Sequence, residues 1–244
     1  AEEGVANDWH TVHYASLARG GAGLVVVEAT AVSPEGRITP YCLGLWNDAQ
    51  AKALAQVAAG IKKAGAVPGI QIAHAGRKAS ANRPWEGDDH LPESDPRAWT
   101  PISPSAIPFG ANLPRVPREM TLEDIARVQR DFVAAARRAL EAGFEWLELH
   151  FAHGYLAQSF FSVHANQRTD AYGGSLENRA RLMLEVTDAA ISVWGAGRVG
   201  VHLAPRADAH DMGDSNRAET FGYVARELGK RGIAFICTRE KAGE

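Results

Sequence analysis

The feature that most constrains this fold is a unit of amphipathic helix, glycine and short apolar strand that recurs five times along the chain. Glycine suits the left-handed backbone that closes many helices. The strands are apolar on both faces, as buried parallel strands are. Repeated βα units therefore predict an α/β fold with a parallel sheet. The glycines are Gly20, Gly65, Gly143, Gly195 and Gly232, and the predicted strands are 23–28, 67–73, 145–150, 198–203 and 233–238.

Two of the predicted helices carry clear start signals. Thr121 precedes the helix predicted at 122–141, and Ser175 precedes the helix predicted at 176–193. A hydroxyl at this position accepts a hydrogen bond from a backbone N–H of the first turn. Both residues are therefore expected to be N-caps.

Five predicted strands leave two architectures open. A closed (β/α)8 barrel needs eight strands, so the chain would be an incomplete TIM barrel or an open five-stranded sheet. An open sheet that binds a dinucleotide has a G-x-G-x-x-G motif between an early strand and its helix. No such motif opens a helix here, because Gly20, Gly21 and Gly23 precede their strand. We expect one domain over residues 1–244, and its architecture is either the incomplete barrel or the open sheet.

The segment 77–120 differs from the rest of the chain. It holds eight of the twelve prolines and shows little periodicity. A loop of this length in a compact domain usually has a function. It leaves a strand at the end where ligands of α/β proteins bind, so we expect a lid over the C-terminal face.

The composition excludes several classes of function. With 45% hydrophobic residues, 23% charged residues and a net charge of −3, the chain is of ordinary globular type, without a basic patch for nucleic acid or anionic membrane. No apolar run approaches the roughly 20 residues that cross a bilayer. The first residues lack a signal peptide's pattern. With only Cys42 and Cys237, a lone disulfide is one option, and a reduced cytoplasmic protein is the prediction.

Polar residues cluster where the predicted strands end. His150 ends the third strand, and His153 and Tyr155 follow it. Gln71 lies on the second strand and His202 on the fourth. Buried amides and imidazoles are costly unless they are paired, so this set indicates a polar, planar ligand over that face. Two imidazoles can hold a carbonyl oxygen, and a phenol can give up a proton. A zinc site is not predicted, because no third ligand has a suitable spacing.

Four segments resemble the Old Yellow Enzyme family of FMN-dependent ene-reductases. They are VEATAVSPEGR at 27–37, IQIAHAGRK at 70–78, ELHFAHGYL at 148–156 and RTDAYGGSLENR at 168–179. The resemblance covers nearly the whole chain. It implies a TIM (β/α)8 barrel of which about five strands are present, with the first strand and the last two missing.

The resemblance implies roles for particular residues. Gln71 matches the glutamine that hydrogen-bonds the pyrimidine edge of the flavin, and Ala29 matches a position whose backbone approaches the flavin ring. His150 and His153 match the pair that binds the activating oxygen of the substrate. Tyr155 matches the proton donor.

The chain also departs from the family pattern. His202 stands at the cofactor-binding position where many members have an arginine facing the flavin, and Arg206 is the nearest guanidinium that could replace it. Residues 1–165 look closest to the xenobiotic-reductase branch and 195–240 to the N-ethylmaleimide-reductase branch. We therefore expect a chimera or a fragment.

The function implied by the resemblance is reduction of activated C=C bonds in enones or nitroalkenes, with FMN and with NADPH or NADH as hydride donor. A homo-oligomer is the expected assembly, with no nucleic acid or membrane partner. The alternative is an inactive or structural fragment without a complete FMN site. An aldolase is disfavoured because no lysine stands at a strand end; Lys78 lies in the loop beyond.

Overall fold

A computed structural model describes residues 1–205 and 216–239 of the chain. This part contains six α-helices and seven strands. The helices are α1 (Asp8–Arg19), α2 (Asp48–Lys63), α3 (Leu122–Glu141), α4 (Leu156–Phe161), α5 (Leu176–Trp194) and α6 (Arg217–Lys230). The strands are β1 (Leu24–Ala31), β2 (Val67–Ala73), β3 (Ile102–Ser103), β4 (Arg118–Glu119), β5 (Trp146–His150), β6 (Val199–Leu203) and β7 (Phe235–Thr238).

The order of the strands decides between the two predicted architectures. The main sheet is entirely parallel, and its strands lie side by side in chain order, β1-β2-β5-β6-β7. A doubly wound sheet reverses its order at a switch point, whereas right-handed crossovers between successive strands put every helix on the same face. Helices α1, α2, α3, α5 and α6 do pack against one another in this sequence. This is the winding of a TIM barrel.

The apolar core lies between the sheet and this helical layer. Ile70, Ile72, Leu147, Leu149 and Val201 point from the strands into it and are fully buried. The alternate positions on the same strands face the other side of the sheet and carry the polar residues of the site. Because successive side chains of a strand point to opposite faces, one face of the sheet carries the core residues and the other carries the residues of the site.

The predicted signals for helix ends are confirmed, with one exception. The hydroxyls of Thr121 and Ser175 accept from the N–H groups of the third helical residues, 3.1 and 3.3 Å away. Of the five glycines predicted to end helices, four have positive φ angles. Gly20 is the exception: it ends α1 as predicted, but its φ is −70°, and the left-handed residue is Gly21, at +100°. Because Gly20 still forms the last right-handed turn of α1, its neighbour reverses the chain.

The predicted long segment is anchored through its second half, residues 102–120. Its strands β3 and β4 pair in parallel, and Phe109 is buried while Trp85 is exposed. The carbonyl oxygens of Pro104 and Met120 accept hydrogen bonds from Arg168, at 3.0 and 2.5 Å. That a lid covers the C-terminal face stays a prediction.

Arg168 is the buried charge that carries this anchor. Its side chain is 6% exposed, and its guanidinium also binds the carboxylate of Asp170.

Cys42 and Cys237 are both free thiols. Within residues 1–205 and 216–239, no helix is long and apolar enough to cross a membrane.

Replacing Arg168 by methionine should destabilise the fold by roughly 3–5 kcal/mol, because the change leaves a carboxylate and two carbonyls without their buried donor. Urea unfolding followed by circular dichroism measures the loss. Arg198→Met is the control, because Arg198 is exposed and should change stability by less than about 0.5 kcal/mol. Equal effects of the two changes would contradict the anchoring role.

Candidate active site

The turn after β5 presents the predicted catalytic residues. His150 ends the strand, and His153 and Gly154 both adopt the left-handed conformation, with φ of +56° and +73°. For a non-glycine residue this conformation costs about 1–3 kcal/mol and is typical of functional sites. Buried Gln158 holds the turn: its side-chain oxygen accepts from the N–H of Gly154 at 2.7 Å, and its amide donates to the carbonyl of Ala204 after β6.

The three predicted groups lie together. The ring centroids of His150 and His153 are 5.2 Å apart, and those of His150 and Tyr155 are 4.6 Å apart. His202 joins them from β6, with its ring 5.2 Å from His150 and 5.0 Å from His153. The structure therefore brings two imidazoles and a phenol to one point at the carboxyl ends of the strands.

A chain of hydrogen bonds orients the two imidazoles. The backbone N–H of Ala152 donates to Nδ1 of His150 at 3.4 Å, so the proton of that neutral ring belongs on Nε2. His150 Nε2 lies 3.3 Å from Nδ1 of His153, which accepts it. The proton of His153 is then on its own Nε2. This atom is buried and has no partner among the described residues, so it is an available donor.

Burial keeps all three groups uncharged. It lowers the pKa of His150 to about 3 and that of His153 to about 4, with a further contribution from repulsion between neighbouring imidazoles. Burial also raises the pKa of Tyr155 above its ordinary value. At neutral pH the site therefore presents N–H donors and a protonated phenol.

The turn after β2 packs directly against Tyr155. The carbonyl of His74 accepts from the N–H of Leu156 at 3.0 Å. A Cβ atom at Gly76 would lie 2.9 Å from the backbone of Leu156, so only glycine allows this approach. The first turn of α4, and with it Tyr155, is thereby positioned by the end of β2.

Lys78 lies beside the phenol, although its position in the sequence did not suggest it. Its ammonium is 4.9 Å from the ring centroid of Tyr155 and 4.8 Å from that of Phe109. Burial lowers its pKa. Lys78 and Tyr155 also line an open cavity of about 590 Å³, together with Cys42 and Trp85. His150 and His153 do not line it, so Tyr155 connects the cavity to the imidazoles.

A bulge in β1 aligns two predicted cofactor residues. Val27 pairs with Ile70 and Thr30 with Ile72, so two residues, Glu28 and Ala29, stand opposite the single Gln71. The phenolic oxygen of Tyr14 accepts from the displaced N–H of Glu28 at 3.0 Å. Bulges of this kind redirect the backbone beside active sites. Here the bulge brings Ala29 next to Gln71.

Gln71 and His202 meet at a buried carboxylate. Glu148 lies in register with Gln71, and its Oε1 accepts a hydrogen bond from the amide nitrogen of that residue. The same nitrogen is 3.5 Å from Nδ1 of His202, which lies 3.9 Å from the carboxylate. Burial lowers the pKa of His202, and the charge of Glu148 opposes this shift.

The structure thus brings together all six residues that the sequence singled out, and Arg206 lies outside the described residues. Sequence reasoning assigned no role to Glu148 or Lys78. Glu148 could have been found, because it precedes His150 by two and must share its face of β5. Lys78 could not, because only the tertiary fold returns its loop to Tyr155. No group of three His, Cys, Asp or Glu side chains in 1–205 and 216–239 could hold a metal.

Comparison with known proteins identifies the family. The chain matches the NADH:flavin oxidoreductase / NADH oxidase family (Oxidored_FMN) over residues 1–240 and belongs to it. It is 45% identical over 235 residues to an NADPH dehydrogenase of a Geobacillus species, covering 96% of this chain and 63% of that protein. It is also 45% identical over 190 residues to an NADH:flavin oxidoreductase of Gibberella zeae, covering 77% of this chain and 46% of that protein.

Solved structures agree with this assignment. Morphinone reductase superimposes with a TM-score of 0.87 at 31% identity, over 100% of this chain and 66% of the other. An Old Yellow Enzyme homologue from Zymomonas mobilis gives 0.86 at 33%, over 100% and 67%. The chain spans about half to two thirds of the length of these relatives. The predicted family and a partial TIM barrel are confirmed, and the predicted cofactors FMN and NAD(P)H agree with the names of the family and of its members. The division into two branches stays a prediction.

The residues present fit one edge of a flavin. The buried Nε2 atom of His202 has no partner among the described residues. Gln71 adds an amide beside it, and Ala29 leaves room with its small side chain. Hydrogen-bond donors and acceptors around a space bordered by small residues are what a planar heterocycle requires.

The lowered pKa of His150 makes the fold less stable in acid. An unfolded histidine binds its proton near pH 6.5, but folded His150 does so only near pH 3. As the pH falls below 6.5 the unfolded chain therefore binds more protons, and stability decreases. At about 1.4 kcal/mol per pH unit, His150 should account for roughly 2–3 kcal/mol between pH 6.5 and 4.5.

Urea unfolding at the two pH values checks this loss. His150→Gln should reduce the acid destabilisation, whereas His13→Gln, on the exposed face of α1, should leave it unchanged. An unaltered pH dependence in His150→Gln would show that this imidazole titrates normally in the folded protein.

Proposed function

We propose that this chain forms the substrate half of an FMN-dependent ene-reductase, which reduces the C=C bond of α,β-unsaturated carbonyl or nitro compounds with NADPH or NADH. The observation that carries the proposal is the convergence of His150, His153 and Tyr155 beside Gln71. The names of the relatives, NADPH dehydrogenase and morphinone reductase, support a nicotinamide-dependent reductase. A morphinone reductase complex with tetrahydroNAD supports the same reductant.

The two imidazoles hold the activating oxygen of the substrate. His153 offers the N–H on its buried Nε2, and His150 offers its own once a substrate oxygen replaces His153 as acceptor. Both rings are neutral, so they polarise the C=C bond by donating hydrogen bonds to the oxygen. Donors fixed in advance in a buried site are each worth about 2.7–4 kcal/mol in the transition state.

Tyr155 delivers the proton to the α-carbon. Its raised pKa keeps the phenol protonated until charge develops on the substrate. The ammonium of Lys78 over its ring then favours the phenolate that remains. When bound beside these residues, FMN would supply the hydride chemistry at the β-carbon, with NADPH or NADH as the source of the electrons.

Tyr155→Phe should slow alkene reduction by roughly 10²-fold or more while leaving reduction of the flavin by NADPH unchanged, because only the second half-reaction needs the proton. Stopped-flow absorbance separates the half-reactions. Tyr172→Phe is the control, since that phenol binds Glu185 away from the site. If alkene reduction is as fast in Tyr155→Phe as in the control, the proton comes from elsewhere.

The variant His150→Ala/His153→Ala should lower the rate of cyclohexenone reduction by roughly 10²–10³-fold or more, because both oxygen donors are lost. His164→Ala, at an exposed position, serves as control. A near wild-type rate in the double variant would rule out the oxygen-binding role. Protein that stays colourless after incubation with FMN would instead favour the alternative of a structural fragment.

Three expectations remain proposals for the whole protein. They are a homo-oligomeric assembly, a cytoplasmic location and a lid formed by 77–120. None is needed for the chemistry assigned to His150, His153 and Tyr155.

A further inference from the structure

The carboxylate of Glu148 takes no part in the chemistry proposed above, although it is buried in the centre of the site. The residue is 7% exposed. Its neighbours across the sheet are Gln71 on β2 and, on β6, Gly200, which has no side chain. A buried carboxylate is costly unless it is hydrogen-bonded, and truncating its partners is strongly destabilising. The polar side chains near this carboxylate are those of Gln71 and His202.

Glu148 first determines which way the amide of Gln71 points. A carboxylate only accepts hydrogen bonds, so the amide group that contacts it must be the nitrogen. The amide oxygen then faces away from Glu148. No residue in 1–205 or 216–239 donates a hydrogen bond to this oxygen, so Gln71 presents a free acceptor.

Through Gln71, Glu148 also determines the tautomer of His202. The amide nitrogen of Gln71 has a second hydrogen, directed at Nδ1 of His202 at 3.5 Å. When Nδ1 accepts, the proton of the neutral imidazole is on Nε2. This Nε2 is buried and has no partner in the described part of the chain. His202 therefore presents a free donor.

We infer that Glu148 is a positioning residue that sets the polarity of the site floor, with an acceptor at Gln71 Oε1 beside a donor at His202 Nε2. Such a floor selects a planar ring whose edge carries an N–H next to a carbonyl or an unprotonated ring nitrogen. The pyrimidine ring of a flavin has this edge. The ligand rests on the proposed function, whereas the polarity rests on Glu148, Gln71 and His202 alone.

The charges around His202 allow its protonation to report on this arrangement. Glu148 attracts its proton, and Arg239 repels it. The other groups near the ring are His150 and His153, whose low pKa values keep them neutral, and the thiol of Cys237, its register partner on β7. Glu148 is therefore the one negative charge facing His202 in the described structure.

The first experiment measures the pKa of His202 by NMR of histidine-labelled protein, with the signal assigned by its loss in His202→Gln. Glu148→Gln should lower this pKa, because it removes the attracting charge. Gln71→Met should raise it, because it removes a hydrogen bond to Nδ1 and frees the carboxylate for His202. Shifts of opposite sign are expected only if the amide links the two residues.

Glu145→Gln is the matched control, because Glu145 directly precedes the same strand but is half-exposed and paired with Lys62. It should leave the pKa of His202 unchanged. A merely structural role for Glu148 predicts no shift in either variant, or shifts of the same sign, and would overturn the inference. Thermal melts verify that each variant is folded. If Glu148→Gln does not fold, the raised pKa of His202 expected in Gln71→Met still tests the inference.

The second experiment compares binding of lumiflavin and 3-methyllumiflavin, whose methyl group blocks the ring N–H. Loss of one hydrogen bond should weaken binding to the wild type by roughly tenfold or more. Glu148→Gln should reduce this discrimination severalfold, because its amide no longer forces the nitrogen of Gln71 towards it. An unchanged ratio would overturn the inference. If the wild type binds neither flavin, the proposed function fails and the NMR result alone decides the role of Glu148.

Discussion

The site depends on the register of β5 between β2 and β6. Glu148 is opposite Gln71, and His150 is opposite His202, so four polar side chains from three strands lie on one face. A slip of one residue would exchange this face with the apolar one that packs under the helices. Because Leu147 and Leu149 are fully buried on that other face, the hydrophobic core itself fixes the register on which the site depends.

The polar groups are kept neutral and directed rather than charged. Burial lowers the pKa values of His150 and His153 far enough that each neutral ring has one N–H donor and one acceptor nitrogen. The hydrogen bonds run from the backbone N–H of Ala152 through His150 to His153, whose Nε2–H has no partner among the described residues. On the other side of the site, Glu148 orders Gln71 and His202 in the same way. Both series end in groups that have no partner among residues 1–205 and 216–239.

Backbone geometry contributes as much as the side chains. His153 adopts a strained conformation because Gln158 and the end of β6 hold its turn. Gly76 allows the turn after β2 to touch the first turn of α4, which places Tyr155. The site is thus assembled from the ends of neighbouring strands, and the helical layer on the opposite face keeps these ends in place.

Local patterns in the sequence were sufficient for much of this structure. The range 67–73 for β2 and the range 122–141 for α3 are predicted without error, because apolar periodicity and capping are local properties. The motifs also identified the family and the six residues that meet at the site. Local pattern could not decide whether Gly20 or Gly21 reverses the chain, since either glycine can adopt the left-handed form.

Only the tertiary structure decided the winding of the sheet, the bulge that brings Ala29 to Gln71, and the roles of Glu148 and Lys78. These depend on contacts between residues far apart in the chain, such as Lys78 with Tyr155. Sequence periodicity shows which face of a strand a residue occupies but not which residue stands beside it. Neighbours across strands decide where a buried proton resides, and that proton determines what the site can bind.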